Sequence, residues 1–342
     1  MNRLARLVAV LLGTGLVLPT GLPAQETVNT GTTAAQFLKI GPGARAAGMG
    51  ESFSAVATDV TAIYWNPAGL ALMNSNALLA SHIDWIAGID YEFFAAAFQV
   101  GNNASVGAFA TSLAVPEDEV RTVAQPEGTG ERFSAGDVAI GIAYARRISD
   151  RFSVGLVGKF IQERIWSMSS RSVALDLGTL YHSSWQNLRI GIALSNFGLP
   201  MKLAGRANLI FADAHPFIEG NIEAIRAELE LERWEIPLNV KTSISSDLIS
   251  SDALRLSVAV DMVHPNDNSE FFNGGVELVL MGLVSLRSGY RGYGLDQAEG
   301  GLALGAGLDL GLSQGLQLQV DYAVTSFGRL KDVHQFTAGF EF

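Results

Sequence analysis

The chain has 342 residues, no cysteine and a formal net charge of -11. Lack of cysteine removes disulfides and thiolate metal sites from consideration. The acidic balance, with an isoelectric point near 4.9, argues against a nucleic-acid partner. Charged residues make up only 17%, below the roughly 25% of soluble domains, and glycine is abundant at 37 residues.

At the N-terminus, Arg3 and Arg6 precede an apolar run from Leu7 to Leu18, and Leu22-Pro23-Ala24 follows. This layout predicts a secretory signal peptide over 1–24, since so short a run is too short to span a bilayer as a helix. Beyond it no run of eighteen apolar residues occurs. An apolar exported chain without such a run fits a closed barrel, whose strands face lipid at every second residue.

Residues 25–76 show no alternation. Gly41-Pro42-Gly43 and the Gly/Ala run to Gly50 are too rich in small residues for a strand, and no Gly-Lys-Ser/Thr follows to make a phosphate loop. Ala55 to Ala62 predicts a short helix, and Asn66-Pro67-Ala68-Gly69-Leu70 a turn. Arg45 is the one strong cation here able to reach an acid in a barrel lumen.

From residue 77 onward, period-two alternation predicts fourteen strands. They span 77–84, 91–100, 104–113, 133–147, 152–164, 172–183, 186–196, 236–246, 253–263, 271–280, 283–290, 301–311, 315–325 and 334–342. The clearest places Leu302, Leu304, Ala306, Leu308 and Leu310 on one face and Gly301, Ala303, Gly305, Gly307 and Asp309 on the other. Connections alternate in length. Those at 101–103, 148–151, 184–185, 247–252, 281–282 and 312–314 are short turns, whereas 114–132, 165–171, 197–235, 264–270, 291–300 and 326–333 are mostly longer and more polar. Short periplasmic turns and long extracellular loops are the outer-membrane pattern. Domains are thus expected at 1–24 (signal peptide), 25–76 (an N-terminal plug or hatch) and 77–342 (an all-β transmembrane barrel).

Lys159, Asp176, Arg189, Lys241, Arg255, Asp261, Glu277, Arg287, Asp309 and Asp321 fall opposite the apolar faces of their strands. Facing lipid they would cost about 2–4 kcal/mol each near the midplane, the acids less, so they are expected to line the lumen and pair there. The glycines at 301, 305 and 307 suit close approach of a plug backbone. Glu219 to Trp234, with Ile222, Ile225, Leu229 and Trp234 spaced among glutamates, predicts an amphipathic helix within the longest loop.

No catalytic or cofactor pattern emerges, which points away from an enzyme. His82, His182, His215, His264 and His334 are scattered, with none at i,i+4 spacing to another ligand. No Gly-x-Ser-x-Gly elbow occurs, and the turn at His264-Pro265-Asn266-Asp267-Asn268 lacks the glycine and glutamate of an EF-hand loop.

The stretch GARAAGMGESFSAVATDVTAIYWNPAGLALM, Gly43 to Met73, resembles the N-terminal signature of the FadL-type superfamily, above all its PorV/PorQ branch. The resemblance implies a fourteen-stranded barrel whose N-terminal segment folds into the lumen, with Asn66, Pro67, Ala68 and Gly69 in that hatch. Phe336, Phe340 and terminal Phe342 partly resemble the C-terminal signal of outer-membrane barrels, although Thr337 stands where that signal usually has glycine. For function, the branch implies an accessory of type IX-like protein secretion, with outer-membrane lipid around it and secretion components or exported cargo as partners. The wider superfamily implies a transporter of hydrophobic small molecules.

Overall fold

A computed structural model describes residues 30–212, 225–295, 298, 301–313 and 315–342. Fourteen antiparallel strands form a closed barrel. They are β1 (Ala77–Asp84), β2 (Asp90–Val100), β3 (Ala104–Glu119), β4 (Arg132–Ser149), β5 (Phe152–Ile165), β6 (Met168–His182) and β7 (Arg189–Gly198), then, after three minor strands, β11 (Asn239–Ser250), β12 (Leu254–Pro265), β13 (Phe271–Leu280), β14 (Val284–Tyr293), β15 (Leu302–Ser313), β16 (Leu316–Ser326) and β17 (Asp332–Glu341). Each pairs with its sequence neighbours, β7 pairs with β11, and β1 pairs with β17 to close the ring. Closure pairs the main-chain groups that an open sheet edge would leave bare in hydrocarbon.

The alternation decides which face is which. On β15, Leu302, Leu304 and Leu308 are exposed, while Ala303 and Gly307 between them are buried. The exposed apolar residues of neighbouring strands continue this outer band, among them Leu175, Leu177, Val260, Leu286, Val320 and Phe340. Apolar side chains form the outward band that lipid requires, while the charged residues of these strands turn inward.

The apolar core lies inside the barrel. Residues 33–73 pack against the inner wall as short turns: a 3-10 turn at Gln36–Lys39, helix α1 (Ala44–Gly48), helix α2 (Ala62–Trp65) and a second 3-10 turn at Pro67–Leu72. Met49, Phe53, Ile63, Trp65 and Leu70 are completely or almost completely buried, in one cluster with Tyr91, Phe93, Phe109, Val157 and Ile161 of the wall. The segment starts near the long-loop end, where Ala34 N–H donates to Glu235 O, and leaves at the short-turn end, where Asn76 pairs with Phe342.

Several sequence expectations need correction. The helix expected at Ala55–Ala62 does not form there; α2 begins only at Ala62. The amides of Phe53 and Ser54 donate to Asp261 and that of Ala55 to Ser243, while those of Val56 and Ala57 turn back to Phe53 O, so the stretch closes as a tight turn pinned to the wall. The loop at 165–171 shrinks to a tight turn, because β5 and β6 stay paired up to Ile165 and Met168. The loop at 114–132 shortens as well: β3 runs to Glu119 and pairs with Arg132 past a bulge between Val115 and Asp118.

Inside 197–235 lie β8 (Ala204–Gly205), β9 (Leu209–Ala212) and β10 (Ile225–Glu228). β10 pairs antiparallel with β9, so 225–228 is strand where an amphipathic helix was expected. Leu209, Ile210 and Phe211 form a β-favouring run that supplies a ladder partner, and pairing overrides a helical spacing of only four apolar residues. The start of the expected helix, 219–224, lies outside the described residues, as do His215 and the expected signal peptide at 1–24.

Candidate functional site

The interface between residues 33–73 and the inner wall carries most of the residues singled out above. Its charged half is built on α1. Arg45 extends from this short helix and forms a two-pronged pair with Glu277 of β13, Nε to Oε1 at 2.8 Å and Nη2 to Oε2 at 2.9 Å. Its third nitrogen reaches Asp59 at 3.0 Å. Glu277 and Asp59 thus neutralise the Arg45 charge from two sides. Arg287 of β14 donates to the same Glu277 oxygen at 2.8 Å and to Asp321 at 2.5 Å. Gln319 donates to the other Asp321 oxygen at 2.7 Å. A chain of alternating charge thus crosses from the inner segment through three strands. Buried ions survive only when paired and hydrogen-bonded in this way.

Asp261 of β12 acts as a cap. It accepts from Ser52 Oγ at 3.1 Å, Phe53 N at 3.3 Å, Ser54 N at 3.1 Å and also from Ser243 Oγ. Charge-assisted acceptance of main-chain N–H groups pins an irregular stretch that has no ladder of its own. Lys241 of β11 lies over the Trp65 ring, 4.3 Å from its centroid. Lys159 and Asp176 pair at 2.8 Å away from the network, and Asn196 bonds both. Arg189 donates to the Val56 carbonyl at 3.4 Å, Arg255 stands 3.9 Å from Glu277, and Asp309 lines a polar cavity of about 210 Å³ beside Arg287. The structure therefore brings Arg45, Glu277, Arg287 and Asp321 into one network, leaves Arg189, Arg255 and Asp309 at its margin, and keeps Lys159–Asp176 separate.

The second half of the interface is built on the Asn-Pro-Ala-Gly turn and uses almost no charge. Asn66 Oδ1 accepts from Ala68 N, capping the 3-10 turn, while Nδ2 donates to Ser54 O at 2.9 Å and Thr179 O at 3.1 Å. Pro67 follows at the first position of the turn, where its missing N–H costs nothing. Ser153 Oγ donates to Ala68 O at 3.1 Å, and Arg147 to Ala71 O at 3.2 Å. The wall opposite is glycine: a Cβ on Gly155 would strike the Pro67 backbone, and one on Gly178 the Asn66 side chain. Gly69 itself abuts the Ala57 carbonyl.

Sequence reasoning missed these wall glycines, together with Gly275 and Gly289, which Met49 and Gly50 press against. The signal was available as glycine at lumen-facing positions. Of the three glycines that were expected to meet the inner segment, only Gly305 does so, against Gly48; Gly301 and Gly307 face Tyr290 and Arg287 of the wall instead. Also missed were Glu51–Arg291 at 2.8 Å and the cluster on Asp267, which accepts from Thr33, Gln36 and Lys39 at 2.8, 2.7 and 2.9 Å. Burial alone would push the Asp267 carboxyl up, but the hydrogen bonds from Gln36, Lys39 and Thr33 outweigh it and hold it below the usual range. No spacing rule links residues more than two hundred positions apart.

The β1–β2 hairpin brings potential ligand atoms of His82, Asp84 and Asp90 within 4.8 Å of one another on the outer face. His82 is already bonded to Glu92 at 2.6 Å and Asp84 at 3.0 Å. At the long-loop mouth, a cavity of about 430 Å³ is lined by Phe37, Ile40, Trp85, Ile89 and Leu113, with Asp137 and Glu163 at its edge.

The fold is shared with outer-membrane channels of solved structure. The monoaromatic hydrocarbon channel CymD superposes with a TM-score of 0.55 at 15% identity, covering 88% of this chain and 96% of that one. The Ralstonia pickettii toluene transporter TbuX gives 0.53 at 12%, covering 88% and 97%. A Pseudomonas aeruginosa FadL homologue gives 0.51 at 10%, covering 88% and 98%. Identities this low establish the barrel alone. No curated protein matches the chain. A closed fourteen-stranded barrel of this kind places the protein in the bacterial outer membrane. The family model of type IX secretion system protein PorV matches residues 23–241, more than half of the chain. The chain belongs to the PorV family.

Proposed function

We propose that the protein is an occluded outer-membrane accessory of type IX-like protein secretion, which engages exported proteins or secretion components at its surface and conducts no solute. Residues 25–76 act in this reading as a plug, and no catalysis is involved. The observation that carries the reading is the double anchoring of residues 33–73, by Arg45–Glu277–Arg287 on one side and by Asn66-Pro67-Ala68-Gly69 on wall glycines on the other. Family membership supports the secretion role. The test is affinity capture of the native protein from its outer membrane. Recovery of secretion-system components supports the reading, whereas recovery of barrel-assembly factors alone removes it.

A second reading has one observation of its own. The mouth cavity of about 430 Å³, walled by Phe37, Trp85, Ile89 and Leu113, could receive an apolar small molecule, as a hydrophobic-compound transporter would require. Such a ligand copurifying with the protein would favour this reading over the first.

A further inference from the structure

Two arginines at one end of the lumen stand at the margin of the ion network. Arg189 of β7 makes one long hydrogen bond, 3.4 Å to the Val56 carbonyl, and among the described residues no carboxylate oxygen lies within 4.0 Å of it. Arg255 of β12 is 3.9 Å from Glu277 Oε2, too far for a hydrogen bond.

Nearby acceptors are already committed. Glu277 Oε1 takes Arg45 and Arg287, and Oε2 takes Arg45. Asp247 spends one oxygen on Ser257 and the other on Asn187. A guanidinium carries five N–H donors in a planar fork shaped for an oxyanion, so both arginines hold unspent donors.

Those donors share a space. A cavity of about 110 Å³ is lined by Arg189 and Arg255 together with Thr58, Ser245 and Asp247. It shares Arg45, Thr58, Arg255 and Glu277 with the neighbouring cavity of about 210 Å³, which extends to Ser75 and Glu341 at the short-turn end. The smaller cavity is well above the space one water needs and has room for one carboxylate or phosphate group.

We propose that this cavity binds an oxyanion, a carboxylate or phosphate group presented from the short-turn side of the barrel and clamped between Arg189 and Arg255. Such a group would come from a protein chain if a carboxylate, or from a lipid headgroup or free phosphate otherwise. The site is independent of what the outer surface engages.

The test uses the full chain in neutral detergent, titrated with inorganic phosphate and with N-acetylglycine at constant ionic strength set by chloride. Saturable binding of at least one probe is expected, weakened at least tenfold by Arg189→Gln and by Arg255→Gln. Saturation by N-acetylglycine assigns a carboxylate, and saturation by inorganic phosphate alone a phosphate group. Heat-modified gel mobility checks that each variant still folds. A measurement without substitution reads the same site: the bound probe shields Arg189 and Arg255 from phenylglyoxal, mapped by mass spectrometry. Binding no stronger than chloride for both probes, or equal modification with and without probe, overturns the proposal.

Discussion

The two halves of the interface between residues 33–73 and the barrel are held by opposite means. Around α1, charges on four chain segments neutralise one another, and Arg45, Glu277, Arg287 and Asp321 each need the others to remain buried. Around Asn66, almost nothing is charged; turn and wall touch through backbone, because Gly155 and Gly178 leave no side chain between them. The first half, which also brings Gly48 against Gly305 and Gly50 against Gly289, should not tolerate loss of charge. The second should tolerate changes of charge nearby and no added atom. This difference separates electrostatic from steric specificity within one contact surface.

The largest expected effect breaks the charged half. Glu277→Ala leaves Arg45 and Arg287 buried without their shared acceptor, and removing one partner of a buried pair costs about 3–5 kcal/mol. Urea unfolding in detergent should show this loss, and Arg287→Met combined with Glu277→Leu should recover part of it. A comparable result for Glu277→Ala and wild type would mean that water solvates the network.

Next, the steric half is tested with two glycines on β5. A Cβ on Gly155 would strike the Pro67 backbone, whereas one on Gly158 meets only Leu175 at 3.9 Å. Gly155→Leu should cost about 1–3 kcal/mol by overpacking and expose 33–73 to protease, while Gly158→Leu should behave as wild type. Asn66→Ala, which leaves the carbonyls of Ser54 and Thr179 without their donor, should cost about 1–3 kcal/mol. High salt should leave both of these variants unchanged.

The smallest effect concerns the start of the segment. Asp267 is held below its ordinary value of roughly 3.9 by Gln36, Lys39 and Thr33. A depressed folded-state value means that its contribution is complete above the unfolded value and is lost as pH falls through the folded one. Hydrogen-exchange protection factors at residues 33–39, with the intrinsic pH dependence divided out, should therefore be unchanged between about pH 7 and 5 and fall below about pH 4. Asp267→Asn should remove that acid response.

The barrel was legible because one rule, apolar at every second residue, repeats fourteen times over long strands. β1 falls on its expected bounds, and β13 likewise. Strand ends were less legible where pairing continues past the membrane band, as at Val115–Glu119, since the alternation there weakens while the ladder persists. Lumen-side polarity of Glu277 or Asp261 was readable one strand at a time. Their partners were not, because Arg45 and Glu277 are 232 residues apart and no local pattern joins them. The turn at 55–61 was misread for the same reason: Asp261 and Ser243 hold the amides of Phe53, Ser54 and Ala55 at its entry, and local propensity does not see them.

Occlusion of the lumen is the claim on which the account stands, and planar-bilayer recording of the purified protein tests it most directly. The account predicts an electrically silent wild type, with openings appearing once Glu277→Ala and Gly155→Leu together free both halves of the inner segment. Steady ohmic conductance steps from the wild-type protein would contradict it.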